Sequence, residues 1–287
     1  MGNIIVGAIS QGVLYAMVAL GLYITFRILN LADLTMEGSF TLGGATCARL
    51  IFEGVSPLVA MLASVIVGAL AGCVTGILHT KFKIHHLLAG ILTMTGLYSI
   101  NLRIMAKPTL SLLRIATIFE DVLGIGRYPS AILIGIIIVA IVILLLWIFF
   151  KTEIGYCLKA TGDNEQMVRS LGMNTDLTKI LGLMLGNGLV ALGGALIAQY
   201  QGYSDINMGV GIMVIALASL IIGEVVIRTR KVALSLLSIV VGSIIYRIII
   251  AFVLQLNFFS TDDFRLMTAA IVMIALIAPN FLKREVK

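Results

Sequence analysis

Asp33, Glu37, Glu224 and Arg247 are ionisable residues set within or at the ends of long apolar runs. A charge in hydrocarbon is costly unless it is paired or hydrated, so each marks an ion pair, a helix end or a contact with a polar solute. In LADLTMEGSF, Asp33 and Glu37 lie four residues apart and share a helix face, and Asp33 and Thr35 can cap the start of that helix. Glu37, one turn deeper, is suited to meeting the ammonium group of an amino-acid substrate or to pairing with Arg247. Glu224 stands four residues before Arg228, the spacing of a local ion pair. Thr35, Asn187, Gln199, Gln201 and Asn207 bring hydroxyl and amide groups into apolar surroundings. Such groups hydrogen-bond either a solute or a neighbouring helix. The candidate solute pathway is therefore Glu37, Thr35, Asn187, Gln199 and Asn207.

Enzyme chemistry has no foothold. H-E-x-x-H, G-x-S-x-G and the phosphate loop G-x-x-x-x-G-K-[ST] do not occur. Cys47, Cys73 and Cys157 are an odd number without disulfide or metal spacing, and read as small packing residues. His79, His85 and His86 lack the further ligands a metal needs nearby. No catalytic residue, metal or bound cofactor is expected.

Residues 151–179 carry a different kind of chemistry. In ATGDNEQMVRSLGMN, Asp163 or Asn164 can cap a short helix, Glu165 suits its positive end and Gly172 suits a left-handed stop. Met167, Val168 and Leu171 fall on one side of that helix, with Gln166, Arg169 and Ser170 elsewhere. A capped helix with an apolar stripe suits docking to a soluble partner or lying on lipid headgroups.

The elements that position these residues must cross a membrane. Of 287 residues, 60% are hydrophobic and 12% charged, with a mean hydropathy of +1.11; soluble domains carry about 25% charged residues. The expected fold is all-α, a single polytopic domain over 1–287 with about nine membrane-crossing helices, within a range of about eight to ten. The spans read as 3–26, 34–52, 57–80, 86–105, 128–150, 180–202, 209–227, 232–256 and 264–280, and the glycines near the start and middle of the second suit a broken or re-entrant helix. The N-terminus runs from MGN directly into an apolar segment, which reads as a retained span. With the N-terminus outside, the cytoplasmic face collects Arg27, Lys81, Lys83, Lys151, Lys159, Arg169, Lys179, Arg228, Arg230, Lys231, Lys283, Arg284 and Lys287, thirteen of the 20 basic residues. That asymmetry favours N-terminus out and C-terminus cytoplasmic. It also accounts for the net charge of +6 without nucleic acid. The 106–127 segment falls outside, either over the mouth of a pathway or as a connection.

Gly155, Leu158, Ala160, Gly162, Asn164 and Gly172 match the pattern G-x-x-L-x-A-x-G-x-N-x-x-x-A-x-x-x-G, with Val168 at the alanine position. That pattern resembles the cytoplasmic loop of permease subunits of ABC (ATP-driven) importers of the branched-chain amino-acid and ribose type. TFRILNLADLTMEGSFTLGGA, GILHTKFKIHHLLAGILTMTGLYSI and GLVALGGALIAQYQGYSDINMGVGIMVIALASLIIGE extend the resemblance along nearly the whole chain. The first and last look most like the branch linked with tryptophan- and tyrosine-type binding lipoproteins. The resemblance implies a bacterial plasma-membrane importer moving a small solute, an aromatic or branched-chain amino acid, by alternating access. Its implied partners are a second permease copy, two ABC ATPase subunits that use the ATP, and an extracytoplasmic substrate-binding protein. The implied ATPase-coupling residues are Asp163, Asn164, Glu165, Met167, Val168, Arg169, Leu171 and Gly172.

Two readings stay beside it. Asp33 and Glu37 also suit an ion-coupled secondary transporter. Asp33-Leu34-Thr35-Met36 aligns with Asp205-Ile206-Asn207-Met208, and the two copies enter from opposite faces, as inverted repeats with broken helices do.

Overall fold

The computed structural model describes residues 2–113, 115–119, 127–229 and 231–255, with 270 and 273. Its helices are α1 (Gly2–Leu22), continued by a π-helical stretch (Tyr23–Ile28), then α2 (Thr35–Phe52), α3 (Pro57–Thr80), α4 (His86–Met105), α5 (Arg127–Phe149), α6 (Glu153–Asp163), α7 (Glu165–Ser170), α8 (Thr175–Gln201), α9 (Ile212–Val226) and α10 (Val232–Gln255). Two short strands, β1 (Thr109–Ser111) and β2 (Tyr203–Asp205), pair antiparallel with Leu110 opposite Ser204. Among the described residues the regular structure is therefore helical except for this ribbon, which the sequence pattern does not announce. The ribbon brings the C-terminal ends of α4 and α8 to one face.

Among the described residues, six helices are long and apolar enough to cross a membrane: Ile4–Ile28, Pro57–Thr80, His86–Met105, Pro129–Phe149, Thr175–Gln201 and Val232–Val253. The count of nine crossings is not reached among the described residues. α9, with 15 residues, extends about 22 Å against roughly 30 Å of hydrocarbon. α2 is one unbroken helix of 18 residues rather than a broken one. The expected span at 264–280 lies outside the described residues, apart from helical positions 270 and 273.

α8 is the centre of the bundle, 72% buried along its apolar stretch, whereas that of α5 is 22% buried. Small residues explain the difference. A Cβ on Gly43 would run into the Ala191 carbonyl, one on Gly72 into the Leu183 carbonyl, and one on Gly194 into the Phe40 carbonyl, so α2 and α3 lie backbone to backbone against α8. α5 instead exposes Ile136, Ile137, Ile141, Leu144, Leu145 and Ile148, a surface suited to lipid.

α2 and α9 both start inside the bundle. After the π-helical stretch the chain turns back through Asn30, in the left-handed region at φ 54°, and reaches Asp33 beside Asn187, near the middle of α8. The segment after β2 descends from the ribbon until the amide of Gly211, the residue preceding α9, meets Glu37 in the first turn of α2. Gly211 takes φ 81°, which a Cβ disfavours.

Candidate functional site

Most of the residues singled out from the sequence fall in two places. The first surrounds the start of α2. Asp33, 2% exposed, accepts from Thr35 N at 2.9 Å through Oδ1 and from Asn187 Nδ2 at 2.6 Å through Oδ2. Asn187 Nδ2 also donates to the Leu183 carbonyl at 3.0 Å, and its Oδ1 accepts from Ser39 Oγ at 2.7 Å. Thr35 Oγ1 lies 2.8 Å from Thr75 Oγ1, which donates to Thr93 Oγ1 at 2.9 Å. Thr35 and Asn187 thus join a buried polar tie across α2, α3, α4 and α8, with their polar side-chain atoms engaged inside the protein. Asp33 performs the helix-start role that its position suggests. Gln199, also buried, donates to Cys47 Sγ at 3.2 Å and accepts from Ile118 N at 3.1 Å, anchoring Ile118 beside the end of α8.

Glu37 is the exception. Its carboxylate accepts from Gly211 N at 3.0 Å and stands at an open recess of about 400 Å³ between α2, α4 and residues 206–210. Gly38, Thr41, Met94, Thr95, Tyr98, Asn101, Ile206 and Val210 complete the lining. Thr41 Oγ1 accepts from Gly209 N at 3.1 Å and donates to the Glu37 carbonyl at 3.2 Å, fixing the segment above the recess. Asn207 is exposed on that segment and is not part of the lining. Thr41, Tyr98 and Asn101 were absent from the sequence candidates. Asn101, an amide within an apolar span, is the one whose type could have drawn attention.

Two ion pairs that the sequence allows, Glu37 with Arg247 as one of two alternatives and Glu224 with Arg228, are not formed. Arg247 does not meet Glu37: its guanidinium lies 3.6 Å from the Tyr15 ring centre and donates to Gln11 Oε1 at 3.3 Å, because α10 packs on α1. Glu224 pairs at 2.9 Å with Arg27 instead of Arg228, because the end of the π-helical stretch meets the end of α9.

The second place is residues 151–179, where two short helices, α6 and α7, precede the start of α8 in place of the one short helix expected. α6 begins at Thr152, whose hydroxyl accepts from Gly155 N at 3.2 Å. Asp163 ends α6, and Asn164 is the cap of α7, accepting from Met167 N at 3.0 Å. Gly172 stops the segment at φ 82°, in the left-handed conformation expected of it. The anticipated stripe divides: Val168 is 3% exposed, whereas Met167 and Leu171 are 48% and 73% exposed. Met173 and Leu177 extend the exposed apolar patch.

A charged brace holds α7 against α8. Glu165 pairs with Lys179 at 2.7 Å, and Arg169 pairs with Glu165 at 3.0 Å and Asp176 at 2.8 Å while donating to Thr175 Oγ1 at 2.7 Å. Burial opposes ionisation of Glu165, but the Lys179 hydrogen bond and charge, with Thr175 and Arg169, outweigh it and hold the carboxyl below its ordinary value. Burial also lowers the Lys159 ammonium. The segment is tied to the membrane bundle where Asn30 Nδ2 donates to the Gly162 carbonyl at 2.9 Å and Gly162 abuts the Ile28 carbonyl.

Asp33 and Asp205 head matching turns: Asp205 Oδ1 accepts from Asn207 N at 2.8 Å, as Asp33 Oδ1 does from Thr35 N. The first turn precedes α2 and the second precedes α9.

Comparison with known proteins agrees with this architecture. Residues 4–277 match the sequence model of a family described as the permease component of branched-chain amino acid transport systems. The chain is 44% identical over 283 residues to a tyrosine transport system permease protein of Clostridioides difficile, covering 99% of this chain and 93% of that protein. It is 25% identical over 284 residues to a ribose import permease protein of Haemophilus influenzae, covering 97% and 85% respectively. Among solved structures, PsaBC from Streptococcus pneumoniae in complex with Fab aligns with a TM-score of 0.54 at 16% identity, over 96% of this chain and 90% of that one, a likeness of fold.

Proposed function

The chain belongs to the family of branched-chain amino acid transport system permease components, and from that premise we propose that it forms the membrane pathway of an importer for an aromatic amino acid, tyrosine foremost. It is a permease subunit of an ABC transporter and not the catalytic one. The tyrosine assignment rests on the name of the 44%-identical relative. Two copies of the chain form the route, two ATPase subunits dock beneath it, and an extracytoplasmic binding protein delivers cargo to the side of the ribbon. The N-terminus lies outside, and α6 and α7 lie in the cytoplasm. α2 and α9, with their matching turns, correspond as members of an inverted repeat. The tie through Thr35 and Asn187 and the anchor at Gln199 give the pathway its rigid walls, and Asn207 sits over its recess.

The observation that carries this reading is the braced α6–α7 segment. Its exposed Met167, Leu171, Met173 and Leu177 offer a partner an apolar contact, while Asn30 and Gly162 connect it rigidly to the helix bundle. Movement of an ATPase against this patch is transmitted to α1 and α8, the form of coupling that rigid-body alternating access requires. Leu171→Asp alters only an exposed side chain and is expected to leave thermal stability within about 0.5 kcal/mol while abolishing ATP-dependent uptake in proteoliposomes. Arg169→Glu breaks the brace, so it lowers stability and uptake together. Full ATP-dependent uptake by both variants would remove the docking role, and uptake driven by an ion gradient without any ATPase would sink the importer reading.

A further inference from the structure

The recess beside Glu37 contains polar groups that the fold leaves unused. Glu37 forms no ion pair among the described residues, and its carboxylate accepts from a single amide, that of Gly211, leaving acceptor capacity to spare. A half-buried carboxylate on an outward face is badly placed against lipid, so this side of α2 and α4 borders water or protein. Asn101 provides an independent observation. Its side chain is 1% exposed, its Nδ2 donates to the Gly38 carbonyl at 3.3 Å, and its Oδ1 has no hydrogen-bond partner among the described residues. An acceptor withdrawn from water and left unmatched is unfavourable unless a donor arrives from outside the chain. Tyr98, 51% exposed, stands with Met94 on the same wall.

We propose that this recess is the cargo subsite of the permease: Glu37 and Asn101 Oδ1 receive the ammonium group of an α-amino acid, and Tyr98 and Met94 border its side chain. The proposal rests on the importer reading and adds to it the group that is recognised. Two acceptors, one of them anionic, select a cation with several N–H donors. The recess volume of about 400 Å³ lies within the range of small-molecule sites. Glu37 has a structural duty as well, because its bond to Gly211 N caps the start of α9. Glutamine at position 37 retains an oxygen for that bond and removes only the charge.

The experiment is ATP-dependent uptake of radiolabelled L-tyrosine into proteoliposomes holding the permease with its ATPase and binding protein, with basal ATPase activity and Tm measured on the same preparations. Glu37→Gln is expected to lower uptake by at least about tenfold, the scale of one charge-assisted hydrogen bond, with Tm unchanged. Asn101→Leu is expected to lower uptake several-fold without lowering Tm, because loss of the long bond to the Gly38 carbonyl is offset by removal of an unmatched acceptor from the interior. A merely structural asparagine would lose Tm along with uptake. Unimpaired uptake by Glu37→Gln, or a fall in Tm that parallels the loss of uptake in Asn101→Leu, overturns the subsite. Failure of the unsubstituted complex to import any amino acid overturns the importer reading for this cargo and the subsite with it.

Discussion

Asp33 and Glu37 occupy one short peptide, four residues apart, and meet opposite fates. Asp33 turns inward, where Thr35 N and Asn187 Nδ2 match its two oxygens; Glu37 turns toward the recess. Removing Asn187 leaves one Asp33 oxygen and the Ser39 hydroxyl without their partner in the interior. Asn187→Leu is therefore expected to cost about 1–3 kcal/mol, read as a lowered Tm in detergent. Glu165 makes a pH-dependent contribution. Its carboxyl is held below the ordinary value, so its contribution is complete above that ordinary value and disappears as pH falls through the depressed one. Amide-exchange protection over 165–171 is expected to hold at neutral pH and to fall on acidification through that window. In Glu165→Gln protection is lower at neutral pH and this acid-dependent loss is absent.

At the scale of elements, close approach to α8 decides which helices are structural and which are peripheral. Gly43→Val inserts a branched side chain where Gly43 already abuts the Ala191 carbonyl. The expected cost is about 1–3 kcal/mol or more, seen as a Tm loss and poor recovery of folded protein, whereas Ile141→Val on the exposed side of α5 leaves Tm near that of the parent. α7 is a six-residue helix that could not persist alone. The Asn164 cap, the ion-paired brace and burial of Val168 supply what its length does not. Gly162 is its junction with the bundle, and Gly162→Ala drives a methyl into the Ile28 carbonyl. That variant is expected to bind the ATPase but lose coupling, measured as ATPase activity that cargo-loaded binding protein no longer stimulates.

For the whole molecule, contacts sort the helix ends into two faces. The ribbon joins the ends of α4 and α8 on one, and Arg27 with Glu224 and Asn30 with Gly162 join the ends of the π-helical stretch, α9 and α6 on the other. In the proposed orientation, which rests on the distribution of basic residues, the second face is the cytoplasmic one. After replacement of Cys47, Cys73 and Cys157, the variant Leu113→Cys is expected to react with an impermeant maleimide in intact cells and Leu171→Cys only after permeabilisation, both positions being well exposed. The opposite pattern would invert the topology.

The sequence by itself determined the features that composition and local pattern control. Apolar length specified membrane helices, because hydrocarbon thickness sets a minimum run. Asn164, Glu165 and Gly172 specified the short helix, because capping and the left-handed stop depend on neighbours along the chain. The loop pattern identified the family. Only the tertiary structure decided the features that depend on distant partners: that Glu224 pairs with Arg27, that Arg247 rests on Tyr15, that α2 and α9 begin inside the bundle, and that Asn187 serves Asp33 while Asn101 lines the recess. Asn187 and Asn101 are the same residue type in similar apolar helices. Which of them faces a matching group is set by helix packing across the bundle, and no pattern along the chain encodes that.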